Sequence, residues 1–248
     1  VIGEEETLQR LVNDCRTANR TRFTLVADPN TYLALGIKVE AILQAQGWSV
    51  KRIILENAPL RADEQALFTL FDQSGGAAST FLAAGSGTIH DITRFVSHRT
   101  QNPFISLPTA ASGDGYASEN SSLIINGFKS SYRAQRPIGI YAYLPTLCAA
   151  PIALTAAGFG EMLGKFTTLA DWKLGHLLWD EPYDEHAAQE TWLALQNCLG
   201  QIESIALYEQ KGIRYLTQSL IEAGWGMQRA GNPSPAGGSE HQMAYYWE

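Results

Sequence analysis

Hydrophobic positions in the first half of the chain alternate between two patterns. Short continuous apolar runs, typical of buried strands, are separated by longer stretches with apolar residues at helical spacing. The runs lie in TRFTLVADP, WSVKRIILE, ASTFLAAG and NPFISLPT, and the helical stretches are TYLALGIKVEAILQAQG, ADEQALFTLFDQSG and TIHDITRFVSHRT. Strands separated by single helices need crossover connections, so the pattern predicts a parallel sheet with helices on both faces. Such sheets bind ligands at the carboxyl ends of their strands.

The second half of the chain changes to helical spacing. After SSLIINGFKSSYRAQRPIGIYAYLP, which indicates a short hairpin and one further strand, three long segments carry apolar residues at helical spacing. We therefore predict a nucleotide-type α/β domain over residues 1–147 and an all-α domain over residues 148–248, with a cleft between them. The stretch GNPSPAGGSE at 231–240 is a loop by composition.

Composition and charge exclude several classes of protein. The chain has 248 residues, 45% of them hydrophobic, and a net charge of −7 without a cluster of Lys and Arg, which argues against a nucleic-acid surface. Its longest apolar stretches are broken by Pro and Gly and are too short to cross a bilayer. The first residues are acidic and amphipathic, unlike a secretory signal. We expect a cytoplasmic protein with no nucleic-acid partner and no membrane span.

The first candidate site is GSGTIHD at residues 85–91, between an apolar run and a helical stretch. Its glycines permit close approach of the backbone, and the N–H groups at a helix start suit a pyrophosphate. The third glycine of the usual dinucleotide fingerprint is missing, so a phosphate site and a purely structural turn are equally supported by these residues alone. Asp91 is a site residue or a partner of the helix dipole. We expect His90 on the helix surface.

The second candidate site is LPTAASGDGYAS at residues 107–118. Its small residues leave room for a flat ring or a ribose against the backbone, and Thr109, Ser112, Asp114 and Ser118 offer polar contacts. Turn formation alone explains the Gly-Asp-Gly sequence, but it does not explain the other polar residues of the stretch.

Two further candidates lie in the second half. If AAGFGEMLGKFTTLADWKLGHLLW is one helix, Glu161, Lys165, Thr168 and Trp172 fall near one face. Glu161 is either a dipole partner near the helix start or an oxygen ligand for a divalent metal. In GGSEHQMAYYWE, His241 is either a polar loop residue or a metal-binding imidazole.

Five stretches in this order resemble the sn-glycerol-1-phosphate dehydrogenases, most of all their bacterial branch. They are GSGTIHD, SLPTAASGDGYASENSSL, GFKSSYRAQRPIGIYA, AAGFGEMLGKFTTLADWKLGHLLWDEPYDE and GGSEHQ. The family belongs to the dehydroquinate synthase, glycerol dehydrogenase and iron-containing alcohol dehydrogenase superfamily. The resemblance implies a dehydroquinate synthase-like fold, NAD or NADP in the α/β domain, and one divalent metal (Zn, Ni or Fe) in the helical domain. It also implies interconversion of dihydroxyacetone phosphate and sn-glycerol 1-phosphate, in phospholipid metabolism, with catalysis in the cleft.

The resemblance assigns roles to individual residues. Asp114 would be catalytic and near the substrate, and Glu161 and His241 would bind the metal. Lys129 and Arg133 are either cationic partners for the substrate phosphate or exposed charges. The residues that it brings to the cofactor are Asp28, Asn30, Thr31, Gly85, Ser86, Gly87, Thr88, Asp91, Thr109, Ser112 and Ser118.

Three departures from the family pattern leave alternatives open. Glu161 stands where the family normally has Asp, and Tyr143 and Pro145 stand where relatives tend to carry aspartates. The remaining metal histidine of the family lies in a later helix, beyond Glu248. We therefore expect either a fragment of a longer protein or a natural short form with weakened or lost metal binding. In both cases the C-terminal domain is incomplete, and its exposed apolar surface favours aggregation or a homo-oligomer such as a homodimer. The alternative functions are a metal-dependent alcohol or polyol dehydrogenase with another substrate, and a catalytically silent nucleotide-binding homologue.

Overall fold

The computed structural model describes residues 1–231 and 234–247, which form two compact units. The first, the α/β unit, comprises Val1–Ala110 and Glu119–Ala150. The second, the helical unit, comprises Ala111–Ser118 together with the chain from Pro151 onward. The segment 111–118, which follows a strand of the first half in sequence, is thus part of the helical unit. A division into domains after residue 147 stays a prediction.

The α/β unit contains a parallel sheet, an antiparallel hairpin and a short parallel pair. Its strands are β1 (Ile2–Gly3), β2 (Arg22–Ala27), β3 (Ser49–Ile54), β4 (Thr80–Gly85), β5 (Phe104–Pro108), β6 (Asn120–Ile125), β7 (Phe128–Arg133) and β8 (Ala142–Tyr143). Its helices are α1 (Glu5–Thr17), α2 (Pro29–Thr31), a π-helical turn (Tyr32–Gly36), α3 (Ile37–Gln44), α4 (Glu64–Ser74), α5 (Gly87–Arg99) and α6 (Leu144–Cys148). The parallel sheet has the strand order β3-β2-β4-β5, β6 pairs with β7, and β1 pairs with β8.

The core of the α/β unit lies on both faces of the parallel sheet. Every residue of β4 is buried. Phe81 and Ala83 pack in one apolar cluster with α4 and α5, whereas Leu82 and Ala84 pack in another with α1 and α3. A strand that is buried on both faces has a continuous apolar sequence, which is why TFLAA carries no alternation. The predicted parallel sheet with helices on both faces is confirmed.

The helical unit is built from segments that the sequence pattern largely predicts. Its helices are α7 (Ile152–Trp179), α8 (Glu185–Leu199), α9 (Ile202–Ala206), α10 (Gln210–Ala230) and α11 (Ser239–Trp247), and Gly115–Ala117 forms a 3₁₀ turn. The helical pattern over 185–210 is broken near Gly200 into α8 and α9. The loop predicted at 231–240 ends earlier, because α11 begins at Ser239; residues 232 and 233 of this loop lie outside the described residues. In the described ranges no helix has the length and hydropathy needed to cross a membrane.

Candidate functional site

The turn Gly85–Thr88 joins the central strand β4 to α5. A Cβ atom added at Gly85 would lie 2.5 Å from the Cβ of Ile89, whereas one added at Gly87 would meet nothing within 4 Å in the described structure. Gly85 is therefore required for close packing of the strand against the helix. Gly87 leaves open space at the helix start, where backbone N–H groups favour an anion. The Thr109 N–H donates a 3.0 Å hydrogen bond to the Gly85 carbonyl, so two predicted cofactor residues are neighbours.

The predicted cofactor residues Asp28, Asn30 and Thr31 lie at the same edge of the sheet. Asp28 follows β2, which is parallel to β4 and adjacent to it. Its Oδ1 accepts hydrogen bonds from the backbone N–H groups of Asn30 at 2.9 Å and Thr31 at 3.1 Å. The Asp28 N–H in turn donates to the Thr31 hydroxyl at 3.1 Å, which completes a capping box around the start of α2. These three residues therefore fix the turn after β2; contact with a cofactor stays a prediction.

His90 is buried in the core and not on the helix surface, so the surface assignment is wrong. Its Nδ1 lies 2.9 Å from the Ser86 carbonyl oxygen, and its Nε2 lies 2.8 Å from the Ser106 hydroxyl in β5. Burial lowers the pKa of His90 to about 3, so the ring is neutral near pH 7. The imidazole thus ties α5 to β5, which a single histidine in a helical pattern does not reveal.

Asp91 connects α5 to the hairpin formed by β6 and β7. Its Oδ1 accepts a 3.0 Å hydrogen bond from Arg94, and the fully buried Arg94 also donates to the Asn120 carbonyl at 2.8 Å. Burial raises the pKa of Asp91 to about 6, although Arg94 and Lys129 both act to lower it. Asp91 lies beyond the first turn of α5, so the dipole-partner interpretation is wrong. The structure does bring Asp91 and Lys129 within electrostatic reach of each other.

Tyr143 and Pro145, which the resemblance marks as departures from the family pattern, have structural roles. The Tyr143 hydroxyl bonds to Glu5 in α1 and to Lys38 in α3. The Lys38 ammonium group also lies 4.3 Å from the centre of the Tyr143 ring. Pro145 lies in the first turn of α6, where a proline costs no backbone hydrogen bond.

Two glycines let the segment Ala111–Ser118 lie directly on the helices of its unit. A Cβ atom added at Gly158 in α7 would lie 1.9 Å from the Ala111 carbonyl oxygen. A Cβ atom added at Gly224 in α10 would lie 2.7 Å from the Asp114 carbonyl oxygen. Among the predicted site residues of this segment, Asp114 and Ser118 are buried, and the Ser112 hydroxyl lies 2.9 Å from the hydroxyl of Tyr116. The helices therefore fix the position of this polar run.

Lys165 lies at the centre of a polar cluster, the Lys165 cluster, which also contains Asp114, Glu161, His241 and the Ala236 carbonyl. The Lys165 side chain is fully buried, and its ammonium group donates to Asp114 Oδ2 at 2.6 Å. It also donates to the Glu161 carboxylate and, at 2.5 Å, to the Ala236 carbonyl. The sequence pattern predicts that Lys165 lies on the same face of α7 as Glu161, but it assigns no role to Lys165. The signal that could have indicated an ion pair is the i, i+4 spacing of Lys165 from Glu161.

The two predicted metal ligands meet in this cluster. Nε2 of His241 lies 3.7 Å from Oε1 of Glu161, and Nδ1 of His241 lies 2.8 Å from Oε1 of Glu240. Burial and the nearby charge of Asp114 raise the pKa of Glu161, and Lys165 and His241 offset this only in part. Because α7 begins at Ile152, Glu161 lies in its interior, and the dipole-partner interpretation is wrong. His241 lies in α11 and not in a loop.

Comparison with known proteins decides the family. The family model of the iron-containing alcohol dehydrogenases matches residues 2–151. The chain is 42% identical over 228 residues to a glycerol-1-phosphate dehydrogenase [NAD(P)+] of Halalkalibacterium halodurans, which covers 91% of this chain and 57% of that relative. It is 33% identical over 249 residues to the protein of the same name from Pyrococcus furiosus, covering 99% of this chain and 70% of that relative.

The chain belongs to the glycerol-1-phosphate dehydrogenase family.

Solved structures agree with the fold of this family. An iron-containing alcohol dehydrogenase from Thermococcus thioreducens has a TM-score of 0.76 at 12% identity, covering 92% of this chain and 65% of that chain. Glycerol dehydrogenase from Schizosaccharomyces pombe has a TM-score of 0.71 at 17% identity, covering 91% of this chain and 59% of that chain. The predicted fold class is thus confirmed. The chain spans 57% to 62% of the length of several glycerol-1-phosphate dehydrogenases that it matches.

For a member of the glycerol-1-phosphate dehydrogenase family, the expected metal ligands are Glu161 and His241. Carboxylate and imidazole are donor types that suit zinc, nickel and iron, so the two residues fit such a metal by chemistry. Across residues 1–231 and 234–247, no three His, Cys, Asp or Glu side chains are arranged to hold a metal ion. The described residues therefore supply a partial ligand set, in which the ammonium group of Lys165 is bonded to the Glu161 carboxylate.

Proposed function

We propose that the protein is an NAD(P)-dependent and metal-dependent oxidoreductase that interconverts dihydroxyacetone phosphate and sn-glycerol 1-phosphate. The observation that carries the proposal is the convergence of Asp114, Glu161 and His241, from three separate segments, in the Lys165 cluster. These are the residues to which the family resemblance assigns catalysis and metal binding. The names of relatives that are 33% to 42% identical to this chain support the same activity.

The α/β unit would bind the cofactor at the carboxyl edge of its parallel sheet. The N–H groups at the start of α5 suit the pyrophosphate, because Gly87 leaves open space there. The capped turn at Asp28–Thr31 follows the neighbouring strand and would lie beside the adenosine half. Thr109 would line the nicotinamide and ribose, as would Ser112 and Ser118 of the segment 111–118.

The helical unit would hold the metal and orient the substrate. Glu161 and His241 would bind one divalent metal, which supplies positive charge that makes a ketone a better acceptor of hydride. Asp114 would accept a hydrogen bond from the substrate hydroxyl group, in a position fixed by Lys165. In the α/β unit, Lys129 would give the substrate phosphate a cationic partner. Reduction takes a hydride from the reduced cofactor and a proton from solvent.

The test is oxidation of NADH and of NADPH by dihydroxyacetone phosphate, after chelation and with Ni²⁺ or Zn²⁺ restored. We expect turnover that depends on the added metal and a product with the sn-glycerol 1-phosphate configuration. Parallel assays with dihydroxyacetone and other small ketones test the alternative of a different substrate. Retained NADH binding without turnover under any metal would contradict the dehydrogenase proposal and favour a catalytically silent homologue.

A further inference from the structure

The ammonium group of Lys165 lies between the two carboxylates of the candidate site. It contacts Asp114 in the segment 111–118, Glu161 one turn away in α7, and the Ala236 carbonyl. An ammonium group has three N–H donors, and each one here has an oxygen acceptor. Lys165 is therefore a fully bonded internal cation that links three separate segments of the helical unit.

The charge of Lys165 is stabilised where it lies. Burial opposes an ammonium charge, but the carboxylates of Asp114 and Glu161 both lie in direct contact with it. Without this cation the two carboxylates would face each other in a buried environment. Like charges in a buried environment repel each other more strongly than in water. Lys165 therefore offsets a repulsion that is intrinsic to the site.

The same oxygen atom of Glu161 faces both Lys165 and His241. Oε1 of Glu161 accepts the hydrogen bond from Lys165, and it is also the atom that lies 3.7 Å from Nε2 of His241. A metal ion shared by Glu161 and His241 needs a lone pair of a Glu161 carboxylate oxygen. The ammonium group and the metal would thus compete for the same carboxylate.

We propose that Lys165 is a positioning residue that holds Asp114 and Glu161 in place without a metal and competes with a divalent cation for Glu161. The competition rests on the proposed function, because it takes Glu161 and His241 as metal ligands. Once a metal is bound, Lys165 keeps its bonds to Asp114 and the Ala236 carbonyl, so Asp114 stays in position. Lys165 thus lowers metal affinity and stabilises the metal-free protein.

The test compares Zn²⁺ affinity and thermal unfolding in matched variants of the whole chain. K165M keeps the length of the side chain and removes the charge. K173M, on the same helix, removes a lysine whose side chain is 43% exposed and serves as the control. The double variant D114N/K165M keeps the net charge of the cluster, because it removes one positive and one negative charge. Calorimetry on chelator-treated protein gives the affinity, and melting curves with and without Zn²⁺ give the stability.

We expect K165M to melt below wild type without Zn²⁺, and to bind Zn²⁺ at least tenfold more tightly. Because a ligand that binds the folded state stabilises it, Zn²⁺ should raise the melting temperature of K165M more than that of wild type. D114N/K165M should also bind Zn²⁺ more tightly than wild type, since Glu161 is freed at constant charge. K173M should match wild type in both measurements.

Equal or weaker Zn²⁺ binding by K165M and by the double variant would overturn the proposal. So would the absence of Zn²⁺ binding in every protein of the set. If K165M does not fold, the Zn²⁺ affinity of the double variant decides. Failure of the double variant to fold would also count against a positioning role. The proposed function can fail separately. If K165M binds Zn²⁺ more tightly than wild type, but wild type does not reduce dihydroxyacetone phosphate, the proposed reaction is contradicted and the role of Lys165 stands.

Discussion

The Nζ atom of Lys165 lies 2.6 Å from Oδ2 of Asp114, although the two residues are 51 positions apart in the sequence. Asp114 lies in a short segment between β5 and β6, and this segment packs on α7 and α10. A buried ion pair of this kind stabilises a fold chiefly by compensating charges that have lost their water. The contact between Lys165 and Asp114 therefore affects the stability of the fold as well as the chemistry of the candidate site.

Replacement of Asp114 by Asn should destabilise the chain. Lys165 would keep Glu161 and the Ala236 carbonyl but lose one charged acceptor, which corresponds to about 2 kcal/mol. Urea unfolding measures this loss. The matched control is Glu190→Gln, which breaks an exposed 2.8 Å pair with Arg229 and should cost less than about 1 kcal/mol. Equal losses of unfolding free energy in the two variants would show that the buried pair stabilises the chain no more than the exposed pair does.

Two glycines of α7 should respond in opposite directions to alanine. In Gly158→Ala the new methyl group meets the Ala111 carbonyl at 1.9 Å, so the segment 111–118 must move, at a cost of about 1–3 kcal/mol. In Gly160→Ala the methyl group meets nothing within 4 Å in the described structure, and alanine should stabilise the helix by up to about 1 kcal/mol. Melting temperatures should move down in the first variant and up in the second. An unchanged or higher melting temperature in Gly158→Ala would show that the segment does not rest on Gly158.

The sequence predicts those parts of the molecule whose signal is local. Burial of β4 on both faces produces a continuous apolar run, so this strand follows from pattern. Helical spacing also predicts α7, but its buried positions include Thr155, Lys165 and Thr168, so the apolar residues alone do not show which face is buried. The pairing of Glu161 with Lys165 is likewise readable from their spacing.

Features that depend on distant partners were missed. The burial of His90 depends on the hydroxyl of Ser106, which the next strand supplies. The start of α11 is held by Asp171, whose Oδ2 accepts a 2.8 Å hydrogen bond from the Ser239 N–H, and the Gly and Pro composition before it predicts only a loop. The position of Asp114 beside Lys165 depends on glycines far along the chain. These contacts become visible only once the fold brings the segments together.

Replacement of Gly87 by Ala should weaken NADH binding without unfolding the chain. The methyl group has open space in the described structure, so stability should change by less than about 1 kcal/mol. If a pyrophosphate lies on the N–H groups of this turn, the methyl group takes up its space, and NADH affinity measured by fluorescence titration should fall at least tenfold. Gly160→Ala, in the helical unit, is the control and should bind NADH like wild type. Unchanged affinity in Gly87→Ala would place the pyrophosphate elsewhere.

The neutral, buried His90 should make the chain sensitive to acid. The pKa of His90 is about 3 in the folded state and 6.5 in an ordinary environment, so below pH 6.5 the unfolded chain binds a proton that the folded chain does not. Its contribution to stability is complete above pH 6.5 and is lost as the pH falls towards 3. Each unit below 6.5 lowers the free energy of unfolding by about 1.4 kcal/mol, which amounts to about 2 kcal/mol at pH 5.

The variant His90→Gln isolates this effect, because glutamine keeps hydrogen-bonding groups and does not titrate. Asp91, with a pKa of about 6, titrates in the same range and acts in the opposite direction, since its folded form binds a proton more tightly than the unfolded form. The quantity to measure is therefore the loss of unfolding free energy between pH 7 and pH 5. It is obtained by urea unfolding and compared between wild type and variant. We expect wild type to lose about 2 kcal/mol more than His90→Gln over this interval. Parallel losses in the two proteins would mean that His90 is protonated in the folded state and that its contacts with Ser86 and Ser106 do not require the neutral ring.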